Sequence, residues 1–281
     1  MSALSYLRLI RPPNSLMIGF AVLVGEAVAS STLPLTGYTL AGYLTGFFIT
    51  AYSMVINDIF DVEVDRANGA KRPLATGEMG VGRAKVFAVI LLAAGLIFSG
   101  LTGISTLAIA LVFAGLSALY NWKLKESGLP GNAAVALSMT IPFIYGGLLV
   151  GKYFEPLLDA MALTAFLAGV GREVVKGITD VEGDALRNVR TIARSKGAKA
   201  ASRVGAIFFL FAVVTSLVPV FVGQVGYVYK VLIGITDIIF IFLSARILRD
   251  VSKESARGVK TGALLGMLLG LLGFILQGLL G

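Results

Sequence analysis

The chain has 281 residues, 57% of them hydrophobic and only 14% charged, with 24 Lys and Arg against 16 Asp and Glu for a net charge of +8. Soluble domains run nearer a quarter charged, so this composition excludes an ordinary soluble protein. The lack of any Cys or His excludes disulfides, thiolate chemistry and imidazole acid–base catalysis.

Apolar stretches of about 20 residues, the length that crosses a bilayer, recur along the whole chain. Nine spans are predicted, at about 15–32, 37–57, 84–102, 104–121, 131–151, 156–176, 199–221, 226–247 and 259–280. Each must be a helix, because backbone polar groups in hydrocarbon have to be satisfied internally. The connecting segments are short or charged, so residues 1–281 read as a single all-α, polytopic transmembrane domain. The run ending at Ala27-Val28-Ala29-Ser30 resembles a signal-peptide cleavage site, but an uncleaved first span gives the consistent topology.

The basic residues orient this bundle. With the N-terminus inside and the C-terminus outside, all of the 24 Lys and Arg except Lys152 and Lys230 fall on the inner side. That is the positive-inside distribution. It accounts for the basic charge without nucleic acid and predicts a multi-pass protein of the cell membrane.

Two acidic phrases interrupt the apolar pattern, and both read D-V-E-x-D. The first is Asn57-Asp58-Ile59-Phe60-Asp61-Val62-Glu63-Val64-Asp65 and the second Asp180-Val181-Glu182-Gly183-Asp184. They align at an offset of 119 residues, four predicted helices apart. Both copies therefore leave the membrane on the inner side, as a parallel repeat relating about 50–65 to about 169–184. Inverted repeats would have favoured a transporter. On a helix, Asn57, Asp58, Asp61 and Asp65 share one face, as do Asp180 and Asp184, while Glu63 and Glu182 point away. Carboxylates beside hydrocarbon are costly, and two such clusters point to a polycationic partner. Hard oxygen ligands suit magnesium, which shares its coordination with substrate phosphates. The metal-ligand candidates are thus Asn57, Asp58, Asp61, Asp65, Asp180 and Asp184, on the cytoplasmic side.

Cationic and polar groups flank each cluster: Arg11 and the amide Asn14 near the start, Arg72, the Tyr120-Asn121-Trp122-Lys123 segment, and Arg172 with Lys176. Such groups would hold phosphate oxygens that metals leave uncovered. Arg72, Lys123, Arg172 and Lys176 are read this way; Arg187, Arg190, Arg194, Lys199, Arg246 and Lys253 are read as topology. Glu26 and Asp237 are lone acids in predicted spans, each either functional or hydrogen-bonded to a neighbouring helix. The stripes Gly42/Gly46 and Gly262/Gly266/Gly270 are read as helix packing.

Asn57-Asp58-x-x-Asp61-x-x-x-Asp65, Asp180-x-x-x-Asp184 and Tyr120-x-x-Lys123 together resemble the signature motifs of the UbiA-type intramembrane prenyltransferases. Arg72-Pro73-Leu74-Ala75-Thr76-Gly77 is similar to the stretch that follows their first motif, and Arg11-Pro12-x-Asn14 to their N-terminal motif. Within the family, Gly171-Arg172-Glu173-Val174-Val175-Lys176 is most similar to the branch serving archaeal ether-lipid synthesis. The resemblance implies magnesium-dependent transfer of a geranylgeranyl group. The donor would be geranylgeranyl diphosphate, and the acceptor the glycerol hydroxyl of geranylgeranylglyceryl phosphate, a lipid phosphate. It implies Asp61, Asp180, Tyr120 and Lys123 as catalytic residues and Asn14, Arg72, Lys123, Arg172 and Lys176 as substrate-binding ones, with the isoprenoid tail among lipid-facing helices. A family member acting on an aromatic acceptor of a quinone, chlorophyll-type or haem pathway is the alternative, and a cation-coupled transporter a more distant one. The general base, the number of metal ions and the oligomeric state are left open.

Overall fold

The computed structural model describes residues 3–32, 35–181, 189–223 and 225–280. Among the described residues the regular structure is helical, without strands. They form two compact units. One comprises Met1–Glu26, Leu33–Trp122 and Ile141–Gly151, the other Ala27–Thr32, Lys123–Thr140 and Lys152–Gly281.

The first unit is built on α3 (Gly37–Phe60), which packs against α5 (Val81–Thr102) and α6 (Ile104–Trp122). Thr36 starts α3: its hydroxyl accepts from the Thr39 amide, and Thr39 reciprocates on the Thr36 amide, so two orphan donors are satisfied. Asp61 ends it and leads into the short α4 (Val62–Ala67). A helix missing from the predicted series, α1 (Ala3–Ile10), precedes α2 (Pro12–Ser30) and packs on α3. Leu9 and Ile10 of α1 are buried with Val55, Ile56, Leu74 and Met79. The junction between α1 and α2 is Arg11, whose φ of 45° lies in the left-handed region that glycine favours. The last turns of α7 (Leu129–Leu149) also belong to this unit. A Cβ added to Gly146 would strike the Val22 carbonyl, so the two helix backbones touch, as small residues permit in membranes.

The second unit is built on α8 (Pro156–Thr179), packed against α10 (Ala198–Ser216) and α13 (Lys253–Leu280). A short α9 (Ile192–Lys196) precedes α10, capped by the Thr191 hydroxyl on the Arg194 amide. The four-residue α11 (Val218–Phe221) extends α10, and α12 (Tyr227–Arg249) pairs with α13. Gly262, Gly266 and Gly270 face Leu243, Phe240 and Thr236 of α12, so that stripe is packing, as expected. The core joins Val174, Val175 and Ile178 of α8 to Phe209, Phe240 and Val259.

Helices α3 and α8 correspond closely. Both have 24 residues, and Asp61 and Asp180 follow them with similar backbone angles (φ −90°, ψ 1° and φ −104°, ψ 6°). Residues 37, 60 and 61 map onto 156, 179 and 180, an offset of 119 in each case.

Among the described residues eight helices are long and apolar enough to cross a membrane, with α10 and α11 taken together. The other predicted span, about 156–176, is α8. It has the length, but Asp159, Arg172, Glu173 and Lys176 set it apart from those eight.

Candidate active site

In the first unit the acidic motif lies across the end of α3. Although α3 stops at Phe60, the Asp61 amide still donates to the Asn57 carbonyl at 3.0 Å and the Asp65 amide to the Asp61 carbonyl at 2.8 Å. The i to i+4 relation therefore survives the helix break, and the expected facing holds: Asp58 and Asp65 are buried while Glu63 is exposed.

The motif's partners divide it. Asp58 is 2% exposed, and its Oδ1 accepts from Arg11 Nη2 at 2.5 Å and from Arg72 Nη1 at 3.0 Å. The same Arg72 nitrogen lies 2.8 Å from Asp65 Oδ2. A carboxylate sealed between two guanidiniums is neutralised where it stands, so Asp58 is an anchor for arginine in this arrangement. Asp61, at the helix break, is half-exposed. Asn57 donates through Nδ2 to Asn121 Oδ1 at 2.7 Å, which uses its amide N–H and not its carbonyl oxygen. Asn14 is exposed, with its Nδ2 3.9 Å from Met54 Sδ. Tyr120 is half-buried near the end of α6.

Arg72 stands on a segment that α1 holds. Glu78 accepts from Ser5 and Thr76 at 3.2 Å each and pairs with Arg8 at 3.0 Å. Partial desolvation pulls the Glu78 carboxyl upward, but the hydrogen bonds from Thr76 and Ser5 and the Arg8 charge outweigh it and hold it below the ordinary value.

The second unit carries Asp180 at the end of α8, half-exposed, with Oδ1 2.6 Å from the Thr179 hydroxyl. Asp184 and Glu182 lie outside the described residues, as does Arg187. Arg172 and Lys176 both reach the buried Glu173: Nη1 of Arg172 at 2.6 Å from one oxygen, Nζ of Lys176 at 3.1 Å from the other. Arg172 Nε is buried with no hydrogen-bond partner among the described residues. Lys123 is exposed just before a short 3-10 turn, Leu124–Glu126.

Magnesium fits this donor set. Among the described residues no three carboxylates converge on a point, but magnesium needs only one or two carboxylates besides water and substrate phosphates. Asp61 in the first unit and Asp180 in the second, each half-exposed at a helix end, each offer an oxygen donor of that kind.

Three residues escaped the sequence reading as parts of the site. Asn121 holds Asn57, Glu173 gathers two cations, and Glu78 ties the Arg72 segment to α1. Asn121 left a signal, a polar pair with Ser117 one turn apart inside an apolar helix, and Glu173 left another, a carboxylate next to Arg172 and three residues before Lys176. The two lone acids have neighbours on other helices: Glu26 accepts from Thr39 at 2.9 Å and Asp237 from Ser216 at 2.8 Å.

Comparison with known proteins bears on this geometry. The UbiA prenyltransferase family profile matches residues 18–272. A digeranylgeranylglyceryl phosphate synthase of Archaeoglobus fulgidus is 38% identical over 270 residues, covering 95% of this chain and 92% of that one. A solved structure from work on digeranylgeranylglyceryl phosphate synthase in membranes superimposes with a TM-score of 0.89 at 32% identity, covering 98% of both chains. A UbiA homolog from Archaeoglobus fulgidus bound to GPP and Mg2+ shares the fold, with a TM-score of 0.68 at 19% identity, covering 96% of this chain and 99% of that one.

Proposed function

The chain belongs to the UbiA prenyltransferase family and is an integral membrane enzyme, and from that premise we propose its reaction: it transfers a geranylgeranyl group from geranylgeranyl diphosphate to the glycerol hydroxyl of geranylgeranylglyceryl phosphate. The observation that carries this choice is the 38% identity to a digeranylgeranylglyceryl phosphate synthase over nearly the full length of both chains.

In this reading the allylic C–O bond of the donor breaks and diphosphate leaves with the electron pair. The glycerol oxygen bonds to the allylic carbon and gives up its proton. Asp61, Asp65 and Asn57 of the first motif and Asp180 and Asp184 of the second are the residues that would hold magnesium. Bound there, magnesium supplies positive charge to the leaving diphosphate. Arg72 and Lys123 add charge to the same leaving group, and Asn14 and Tyr120 complete the donor contacts. Asp58 holds Arg11 and Arg72 in place. The allylic cation is a strong electrophile, so the alcohol needs only modest help in losing its proton.

Arg172 and Lys176 are assigned to the acceptor phosphate. Supporting this is the buried Arg172 Nε, which has no hydrogen-bond partner among the described residues. With α8 as its sixth span, the proposed topology has nine spans, with the N-terminus and the site inside and the C-terminus outside. All of it makes one prenyltransferase domain from a parallel repeat.

The test is incubation of the purified protein in lipid with geranylgeranyl diphosphate, magnesium and a panel of acceptors, with mass spectrometry of the products. The expected result is an ether product from the glyceryl phosphate acceptor alone and no diphosphate release when magnesium is chelated. Prenylation of an aromatic acceptor in its place would overturn the assignment.

A further inference from the structure

Arg8 grips both ends of the segment that carries Arg72. Its Nη2 donates to the Lys71 carbonyl at 3.0 Å, and its Nη1 donates to the two Glu78 carboxylate oxygens at 3.0 and 3.2 Å. Ser5, one turn earlier on α1, adds a bond to Glu78 at 3.2 Å. From within the segment, the Thr76 hydroxyl lies 3.2 Å from Glu78 Oε1 and 3.0 Å from the Arg72 carbonyl. Leu74 and Met79 fasten the underside by sharing a core with Leu9 and Ile10 of α1. Residues 71 to 78 thus form a loop closed by one guanidinium. Arg72 stands beside the closure, with its own guanidinium on Asp58 and Asp65.

Stability alone does not explain the closure. Arg8 and Glu78 are each 39% exposed, and exposed ion pairs contribute little. Inner-side topology asks for a cation near the start of α2, but not for one that serves a carbonyl and a carboxylate together. A planar guanidinium fork does that, and an ammonium is poorly suited to it.

We propose that α1 is a positioning element for Arg72. Arg8, with Glu78 as its counter-ion, fixes the 71–78 loop so that the Arg72 guanidinium stays on the acidic motif, where it meets the departing diphosphate. This rests on the proposed contact between Arg72 and that diphosphate. Arg8 and Glu78 touch no substrate and act through Arg72.

The test uses the full chain in lipid and reads kcat/KM for geranylgeranyl diphosphate at saturating acceptor. Arg72→Met should lower it roughly 100-fold, the scale of a lost charge-stabilising donor. Glu78→Gln and Arg8→Met should each lower it about tenfold, less than the ~100-fold that a 1 Å misplacement can cost. The deciding variant combines Arg72→Met with Glu78→Gln. Its loss should equal that of Arg72→Met alone, because nothing remains to be positioned. A combined loss equal to the product of the single losses overturns the proposal, and so does an unchanged kcat/KM in Glu78→Gln. If Arg72→Met itself keeps full kcat/KM, the diphosphate contact is what fails, and the positioning role falls with it. Should Glu78→Gln not fold, Arg8→Met and its combination with Arg72→Met decide by the same comparison.

Discussion

Asn57 and Asn121 are joined across two helices by a 2.7 Å hydrogen bond, so the first residue of the acidic motif on α3 is held from α6. One turn back on the same two helices, Ser117 bonds to Ser53 at 2.5 Å. Two polar rungs thus fix the rotation of α3 just where its carboxylates begin. Interhelical bonds of this kind contribute only about 0.6 kcal/mol in membranes. Asn121→Leu should therefore lower the thermal midpoint slightly, yet cost about tenfold in kcat/KM by letting Asn57 turn. Steady-state kinetics beside a melting curve will separate the two effects. A variant with unchanged kinetics would show that Asn57 needs no support.

Asp61→Asn and Asp180→Asn should each abolish diphosphate release while leaving the melting transition in place. Both residues are half-exposed at helix ends, where a lost charge costs the fold little. A neutral amide is a much poorer magnesium ligand than a carboxylate. Release of diphosphate at the normal rate by either variant would remove the metal assignment.

Glu63 and Glu173 should behave oppositely. Glu63 is exposed, and Glu63→Gln should leave both stability and turnover near those of the unmodified enzyme. Glu173 is buried between Arg172 and Lys176, and Glu173→Gln strands two cations. Breaking a fully buried pair costs about 3–5 kcal/mol. Partial exposure of the lysine reduces that to roughly 1–3 kcal/mol. Chemical denaturation of the two variants side by side will show whether the order holds.

Gly146→Ala should destabilise the first unit. The new methyl would press on the Val22 carbonyl, and α2 and α7 would have to separate. Overpacking of this kind costs roughly 1–3 kcal/mol. Gly115→Ala is the matched control, because nothing lies within 4 Å of its added Cβ. It should be neutral or stabilising by up to about 1 kcal/mol. Equal midpoints for the two variants would mean that the helices have slack at Gly146.

The acidic motifs were legible because helical periodicity is local: four-residue spacing fixes which carboxylates share a face, and Glu63 duly stands exposed opposite the buried Asp65. Apolar length likewise gave most of the spans. The use made of Asp58 was not legible, since its partners lie 47 residues before it and 14 after it. No pattern in the chain says that two distant arginines will meet on one oxygen. Helix α1 was missed for a related reason: its eight residues are too few to cross a bilayer, and its value comes only from packing on α3.

On backbone grounds alone, glycine would suit position 11. The backbone there turns with φ at 45°, and an L side chain held in that region costs of order 1–3 kcal/mol. Arginine occupies it all the same, and its guanidinium reaches Asp58. Arg11→Gly would relax the turn and strip a buried carboxylate of one of its two cations in the same step. The strain at that turn is thus coupled to the neutralisation of a 2% exposed carboxylate, and no change at residue 11 relieves the one without losing the other.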